Sequence, residues 1–209
     1  GVGTPNIIYD VKRDKNWLLF TGWKDPVGLK REGFVALIDE SLNVNLSTIK
    51  KILPQDFPEK ANYTNNVVRG LFNAVRDEFI VTTSHGNKIF LVTYDKDWNL
   101  KSYKELMVFK DVRDFGLPIR ATGAYGNIKD AIAVTPDPEN SNAIKIYHIK
   151  DVDDINKATV EDWGEIGRWG GNDVIELTIL TGVFLITETN LMVILKMDYL
   201  VIGSMMLFM

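Results

Sequence analysis

One phrase recurs along this chain at a fixed spacing, and that spacing limits the fold more than any other feature. Ile38-Asp39-Glu40-Ser41-Leu42-Asn43-Val44 reads against Tyr94-Asp95-Lys96-Asp97-Trp98-Asn99-Leu100. A looser copy lies in residues 144–157, with Asp151 and Ile155-Asn156 in the corresponding places. Asp39, Asp95 and Asp151 stand 56 residues apart (95 − 39 and 151 − 95). Self-similarity at such a period marks a stacked supersecondary unit. In each copy β-branched and aromatic residues lead into a turn of Asp, Asn and Lys, the chemistry of a strand running into a tight corner.

The rest of the chain divides to match. Residues 5–10, 16–23, 33–38 and 47–53 read as four short strands separated by turn residues, with Pro54 ending the last. The pattern returns at 67–74, 78–83, 88–94 and 102–109, and again at 120–125, 130–135, 143–149 and 158–163. A fourth pass opens at 172–177. No helical stripe runs through the first 177 residues. Four short strands per repeat predict an all-β chain, a β-propeller of four-stranded antiparallel blades. Three blades are whole (about 1–60, 61–112 and 113–166), and part of a fourth starts at 167, as in a truncated five-bladed propeller.

Residues 178–209 depart from this pattern. They are apolar, with Glu188, Lys196 and Asp198 the charged exceptions. A membrane tail is one reading, but the uncharged run 199–209 is about half of what spans a bilayer. A sticky fourth blade is another. The reading we favour is a frameshift near Leu177. In the shifted frame, Met192-Val193 and Met197-Asp198 each encode Gly, Asp198-Tyr199 encodes Leu, and Met205-Met206 encodes Asp. Synonymous choices complete a strand, an Asp-Gly turn and a second strand, as a fourth blade requires. The chain opens on Gly1, as a processed or excised piece of a longer reading frame would.

Composition narrows the function. A net charge of −4 provides no basic footprint for nucleic acid. Without cysteine there are no disulfides or thiolate metal sites, and two histidines do not make a His-rich one. No metal or cofactor is expected, and no phosphate loop or nucleophile elbow is present.

A propeller binds ligands at the mouth of its channel, formed by the loops before strand one and after strand two of each blade. Arg69, Arg120 and Asp173 stand at strand-one entrances, with Trp23, His85 and Trp169 on neighbouring loops. Trp23 and Trp169 offer flat aromatic faces suited to the C–H face of a sugar ring. Each also has a plain structural reading: Asp173 as a cap, Arg69 as a partner for a channel carboxylate, His85 as a turn residue. Asp114, in Arg113-Asp114-Phe115-Gly116, is the second acid to weigh. Trp17 and Trp98 read as packing and turn residues, and Asp39, Asp95 and Asp151 as architecture on the far face.

The run Gly3-Thr4-Pro5-Asn6-Ile7-Ile8-Tyr9-Asp10, followed by Trp17-Leu18-Leu19-Phe20-Thr21-Gly22-Trp23, resembles the inner strand pair of five-bladed propeller glycosidases. These are the glycoside hydrolase family 43 type and its relatives in families 32, 68 and 130. The resemblance implies hydrolysis of arabino- or xylo-type glycosides by two carboxylates, whose separation sets inversion or retention. It also implies a carbohydrate ligand. The family often carries a carboxylate before the first strand-one proline, where this chain has Thr4. Either the catalytic blade lies upstream, or this is a non-catalytic propeller that binds glycan or protein. Asp173 is the acid correctly placed at a strand-one entrance, with Asp114 beside it as the alternative.

Overall fold

The computed structural model describes residues 1–24, 30–52, 64–65, 68–85, 88–108, 119–121, 129–136, 143–168, 172–177, 182–187, 191–195 and 200–205. They form four antiparallel sheets in chain order. The first contains β1 (Val2–Asp10), β2 (Lys15–Gly22), β3 (Lys30–Ile38) and β4 (Lys50–Lys51), with β5 (Thr64–Asn65) added parallel to β3. The second contains β6 (Val68–Asn73), β7 (Glu78–His85), β8 (Lys88–Tyr94) and β9 (Leu100–Val108). The third contains β10 (Ile119–Ala121), β11 (Ala131–Pro136), β12 (Ala143–Lys150) and β13 (Thr159–Arg168). The fourth contains β14 (Asn172–Leu177), β15 (Gly182–Thr187), β16 (Leu191–Leu195) and β17 (Leu200–Met205). The apolar C-terminal stretch thus supplies three strands of the fourth sheet. Among the described residues no helix is long and apolar enough to cross a membrane.

Each sheet is a meander whose first strand touches the first strand of the next: β1 lies against β6, β6 against β10, and β10 against β14. First strands gathered around one axis, with later strands running outward, make this an all-β propeller. The approach is close. A Cβ on Gly70 of β6 would sit 2.8 Å from Ile8 Cδ1 and 2.9 Å from the Ile80 carbonyl oxygen. Asn6 of β1 spans the same gap, its Oδ1 accepting from the Gly70 amide at 2.8 Å.

Side-chain alternation divides each blade between two neighbours. In the second blade Phe79, Val81, Phe90, Val92, Tyr94 and Trp98 pack with Ile8, Leu19, Val35 and Ile52 of the first. The intervening residues Ile80, Ile89 and Leu91 pack with Ala131, Tyr147, Ile149 and Val152 of the third. Tyr94 also ties the first pair of blades with a buried hydroxyl donating to the Ile52 carbonyl at 2.6 Å, and burial pushes this phenol's pKa upward.

The repeated aspartates form the corner between the third and fourth strands. The Asp39 carboxylate accepts from the backbone amide of Asn43 at 2.8 Å and from its side chain at 3.0 Å. Asp95 holds Asn99 the same way, at 2.8 and 2.9 Å. The residue before each asparagine is left-handed: Leu42 at φ 63 and Trp98 at φ 60. The third copy is shifted. Asp151 is itself left-handed at φ 49, and Asp154 accepts the turn amide, from Asn156 at 3.2 Å. The two extra residues between Asp151 and the next strand move the carboxylate's task along the chain.

The first blade's outer strand is shorter than the alternation of residues 47–53 predicts. Asn45 Oδ1 captures the Ser47 amide at 3.2 Å and its hydroxyl at 2.7 Å, winding Leu46–Thr48 into a 3-10 turn. Local side-chain bonds of this kind compete with the sheet ladder, and β4 keeps only two paired residues.

Leu42 offers a simple test of the corner. It holds a left-handed conformation that costs a branched residue about 1 kcal/mol, yet it is 67% exposed. Leu42→Gly should therefore leave stability unchanged or raise it by about 0.5–1 kcal/mol in a urea melt. A loss of similar size would show that the side chain is packed.

Candidate functional site

The hairpins joining strands one and two, and the corners joining strands three and four, share one end of each blade. The opposite end carries the connections after strand two and before strand one, so the channel mouth is there. Arg69, Arg120 and Asp173 are each the second residue of their blade's first strand, β6, β10 and β14. They stand opposite Thr82, Ile132 and Ile186 in register. The structure thus gathers these three positions on adjacent inner strands. Arg69 is half-buried, and its Nη1 donates to the Val68 carbonyl at 3.2 Å. For Arg120 and Asp173 the description covers backbone. His85 ends β7 opposite Lys88, likewise as backbone. Asp114 and Trp169 lie outside the described residues.

Trp23 lies at the same end of the first blade, just after β2. Its amide donates to the Gly1 carbonyl at 2.9 Å, and the Gly1 amine donates back to the Trp23 carbonyl at 2.6 Å. A Cβ on Gly1 would fall 2.3 Å from the indole, so only glycine leaves room for the ring here. The Arg31 guanidinium sits 5.1 Å from the ring centroid, a cation–π distance. Trp23 is therefore a half-buried platform held between the N-terminal backbone and a cation, rather than a fully bared one. Beside it Thr21 Oγ1 donates to the Gly3 carbonyl at 3.1 Å.

Two contributors here were not singled out by sequence reasoning. Arg31 reaches Trp23 across a loop, a contact no local pattern announces. Asn6 did leave a signal, being a polar residue inside an inner strand. It aligns with Arg69 when the first hairpins are superposed, Asp10 on Asn73 and Asp14 on Asp77.

The carboxylates described toward this end are engaged by lysines: Glu32 with Lys51 at 2.5 Å, and Glu105 with Lys88 at 3.0 Å. Among the described residues no group of three or more His, Cys, Asp or Glu is arranged to hold a metal ion. The chemistry on offer is a polar, cationic rim with an aromatic plane: donors for hydroxyl or carboxylate groups, and a surface for an apolar ring face.

Comparison with known proteins matches no family model and no curated protein. Among solved structures the chain resembles a subtype N10 neuraminidase-like protein of A/little yellow-shouldered bat/Guatemala/060/2010. The TM-score is 0.52 and the identity 13%, over 93% of this chain and 56% of that one. It also resembles an N-acetylgalactosamine deacetylase from F. plautii, in complex with blood group B trisaccharide. Here the TM-score is 0.57 and the identity 7%, over 92% of this chain and 62% of that one. The chain therefore spans a little over half the length of each. At these identities the likeness extends to backbone architecture, and it agrees with the four meandering sheets: the chain folds as an all-β propeller.

Proposed function

We propose that this propeller recognises carbohydrate at the mouth of its channel, and that it acts there as a glycoside hydrolase on arabino- or xylo-type substrates. The observation that carries the reading is the convergence of Arg69, Arg120 and Asp173 at the entrances of three adjacent inner strands, with Trp23 under Arg31 on the fourth. An aromatic plane beside charged donors suits a sugar, which presents an apolar face and a rim of hydroxyls. Two propellers of similar backbone support it by their names, one neuraminidase-like and the other a deacetylase of N-acetylgalactosamine solved with a trisaccharide.

In the hydrolytic reading Asp173 is the proton donor or base, and Asp114 is the candidate partner across the scissile bond. Thr4, standing where the glycosidase pattern has a carboxylate, favours a second reading in which the mouth binds glycan without cleaving it. One set of variants separates the two. Isothermal titration with arabino- and xylo-oligosaccharides should give binding that Arg69→Ala and Trp23→Ala each weaken about tenfold, or about 1.4 kcal/mol. Hydrolysis of aryl arabinosides and xylosides should fall about 10²–10⁴-fold in Asp173→Asn. Binding without turnover would leave the glycan-binding reading standing. No heat with any sugar, from a chain whose melt is intact, would overturn both.

A further inference from the structure

We propose that the outer face of the first blade is a docking face for one more blade of the same repeat. That blade would be latched by an arginine onto Asp14 and by a lysine onto the Asp39–Asn43 corner. The inference is independent of what the channel mouth binds.

The argument begins with residue equivalence. The hairpins superpose Asp14 on Asp77, and the corners superpose Asp39 on Asp95. With those anchors Tyr9 falls on Phe72, Phe34 on Phe90, and Leu42 on Trp98. In the second blade all three partners are buried against the first blade. In the first blade Tyr9 is 51% and Leu42 67% exposed, and Phe34 is half-buried. The same surface is covered in one blade and bare in the other. Shape and sequence register therefore call for a blade there, as the first blade serves the second.

The polar contacts identify the occupant more closely. Where the first blade meets the second, Arg13 of the hairpin grips both Asp77 oxygens at 2.7 Å. Lys50 of the outer strand reaches the Asp97 carbonyl and Asn99 Oδ1, each at 3.0 Å. The next interface repeats the scheme. Arg76 pairs with Asp153 at 3.9 Å, and Lys104 reaches the carbonyls of Asn156 at 3.2 Å and Ala158 at 2.7 Å. At both junctions the earlier blade donates an arginine and a lysine, and the later blade offers a carboxylate and a corner.

The first blade carries the accepting half on its bare side. Asp14 is left-handed at φ 52, matching Asp77 at φ 57, and its carboxylate takes the Tyr9 hydroxyl at 2.9 Å. The Asp39–Asn43 corner repeats the bonds of Asp95–Asn99. The expected partner is thus a four-stranded sheet of the same repeat, with arginine in its first hairpin and lysine on its outer strand. A second copy of this chain fits less well, because its Arg13 and Lys50 are already committed within the copy.

The test adds a blade to the intact chain. A duplicate of residues 1–66, marked by conservative changes so that its peptides differ in mass, is fused ahead of Gly1. Hydroxyl-radical labelling is then read at the original Tyr9 and Leu42. The proposal expects labelling of both to fall about tenfold relative to the unextended chain, in line with burial of an interface. It also expects Asp14→Asn in the receiving blade to reverse part of that protection. A second fusion carries Tyr9→Phe and Leu42→Trp in the receiving blade, making that face more like the second blade's. Unchanged labelling in both fusions overturns the proposal. So does protection of Tyr9 and Leu42 in the unextended chain that rises with its concentration, which would assign the face to a second copy.

Discussion

Trp98→Ala is expected to lower stability by about 3–5 kcal/mol, the range for truncating a large buried aromatic, with a fall in Tm of roughly 10 °C for a chain of this length. Trp98 is 2% exposed, stacked on Phe79 with ring centroids 4.0 Å apart, and edge-on to Trp17 of the preceding blade at 5.7 Å. It thus closes the junction between two sheets from a corner loop. Two further variants isolate the cause. Trp98→Gly removes the same packing but relieves the left-handed backbone, so it should cost roughly 1 kcal/mol less than the alanine. Trp98→Phe keeps an aromatic plane and removes an indole N–H that finds no acceptor among the described residues, so it should cost less than about 1.5 kcal/mol. Leu42→Ala, the matching change in the first blade, should be near neutral. Urea melts followed by near-UV circular dichroism would rank all four. An alanine cost below about 1 kcal/mol at Trp98 would mean that the stacked cluster does not hold the blades together.

Arg13→Ala is the second large effect, expected at about 3 kcal/mol. Arg13 donates to Asp10 at 2.8 Å and to both oxygens of Asp77, linking a fully buried carboxylate to one in the next blade. Removing the cation leaves the Asp10 charge buried, with the Lys12 and Arg13 amides as its remaining donors in the hairpin. Breaking one side of such a pair costs more than the pair itself contributes. We take the low end of the usual range because Arg13 and Asp77 are partly exposed. The contact also has a pH signature. The Arg13 hydrogen bond holds the Asp77 carboxyl below the usual carboxylate range, against a smaller opposing effect of burial. A depressed carboxylate stabilises the fold fully above its unfolded pKa, and that share is lost as pH falls through the folded value. Wild-type stability should therefore decline below about pH 4, and Arg13→Ala or Asp77→Asn should show a shallower decline. Equal acid slopes in wild type and variants would rule out this origin.

These two residues also mark what could be read from the chain before its structure. The 56-residue recurrence of Asp39 and Asp95 is a local pattern, because the carboxylate bonds an asparagine four residues on. Four short strands per repeat followed from turn residues and alternation, and the all-β architecture came with them. The third corner escaped the reading because Asp154 does there what spacing assigned to Asp151. Arg13, Arg76, Lys50 and Lys104 read as ordinary surface charge, since their partners lie roughly 50–80 residues away and only stacking the blades reveals them. The site was legible to the same depth. Strand-one entrances pointed to Arg69, Arg120 and Asp173, but the placement of Arg31 over Trp23 depends on how a loop returns to β3.

The inter-blade contacts have a direction, and it matches the direction of synthesis. The arginine and lysine donors belong to the blade made first, and their acceptors arrive with the next blade, after an interval of about one repeat. A nascent propeller of this kind can zip from its N-terminal end. Each completed sheet presents its cations to the sheet still leaving the ribosome, and no contact waits for the far end of the chain. The ring grows by vectorial addition, with each blade acting as template for its successor.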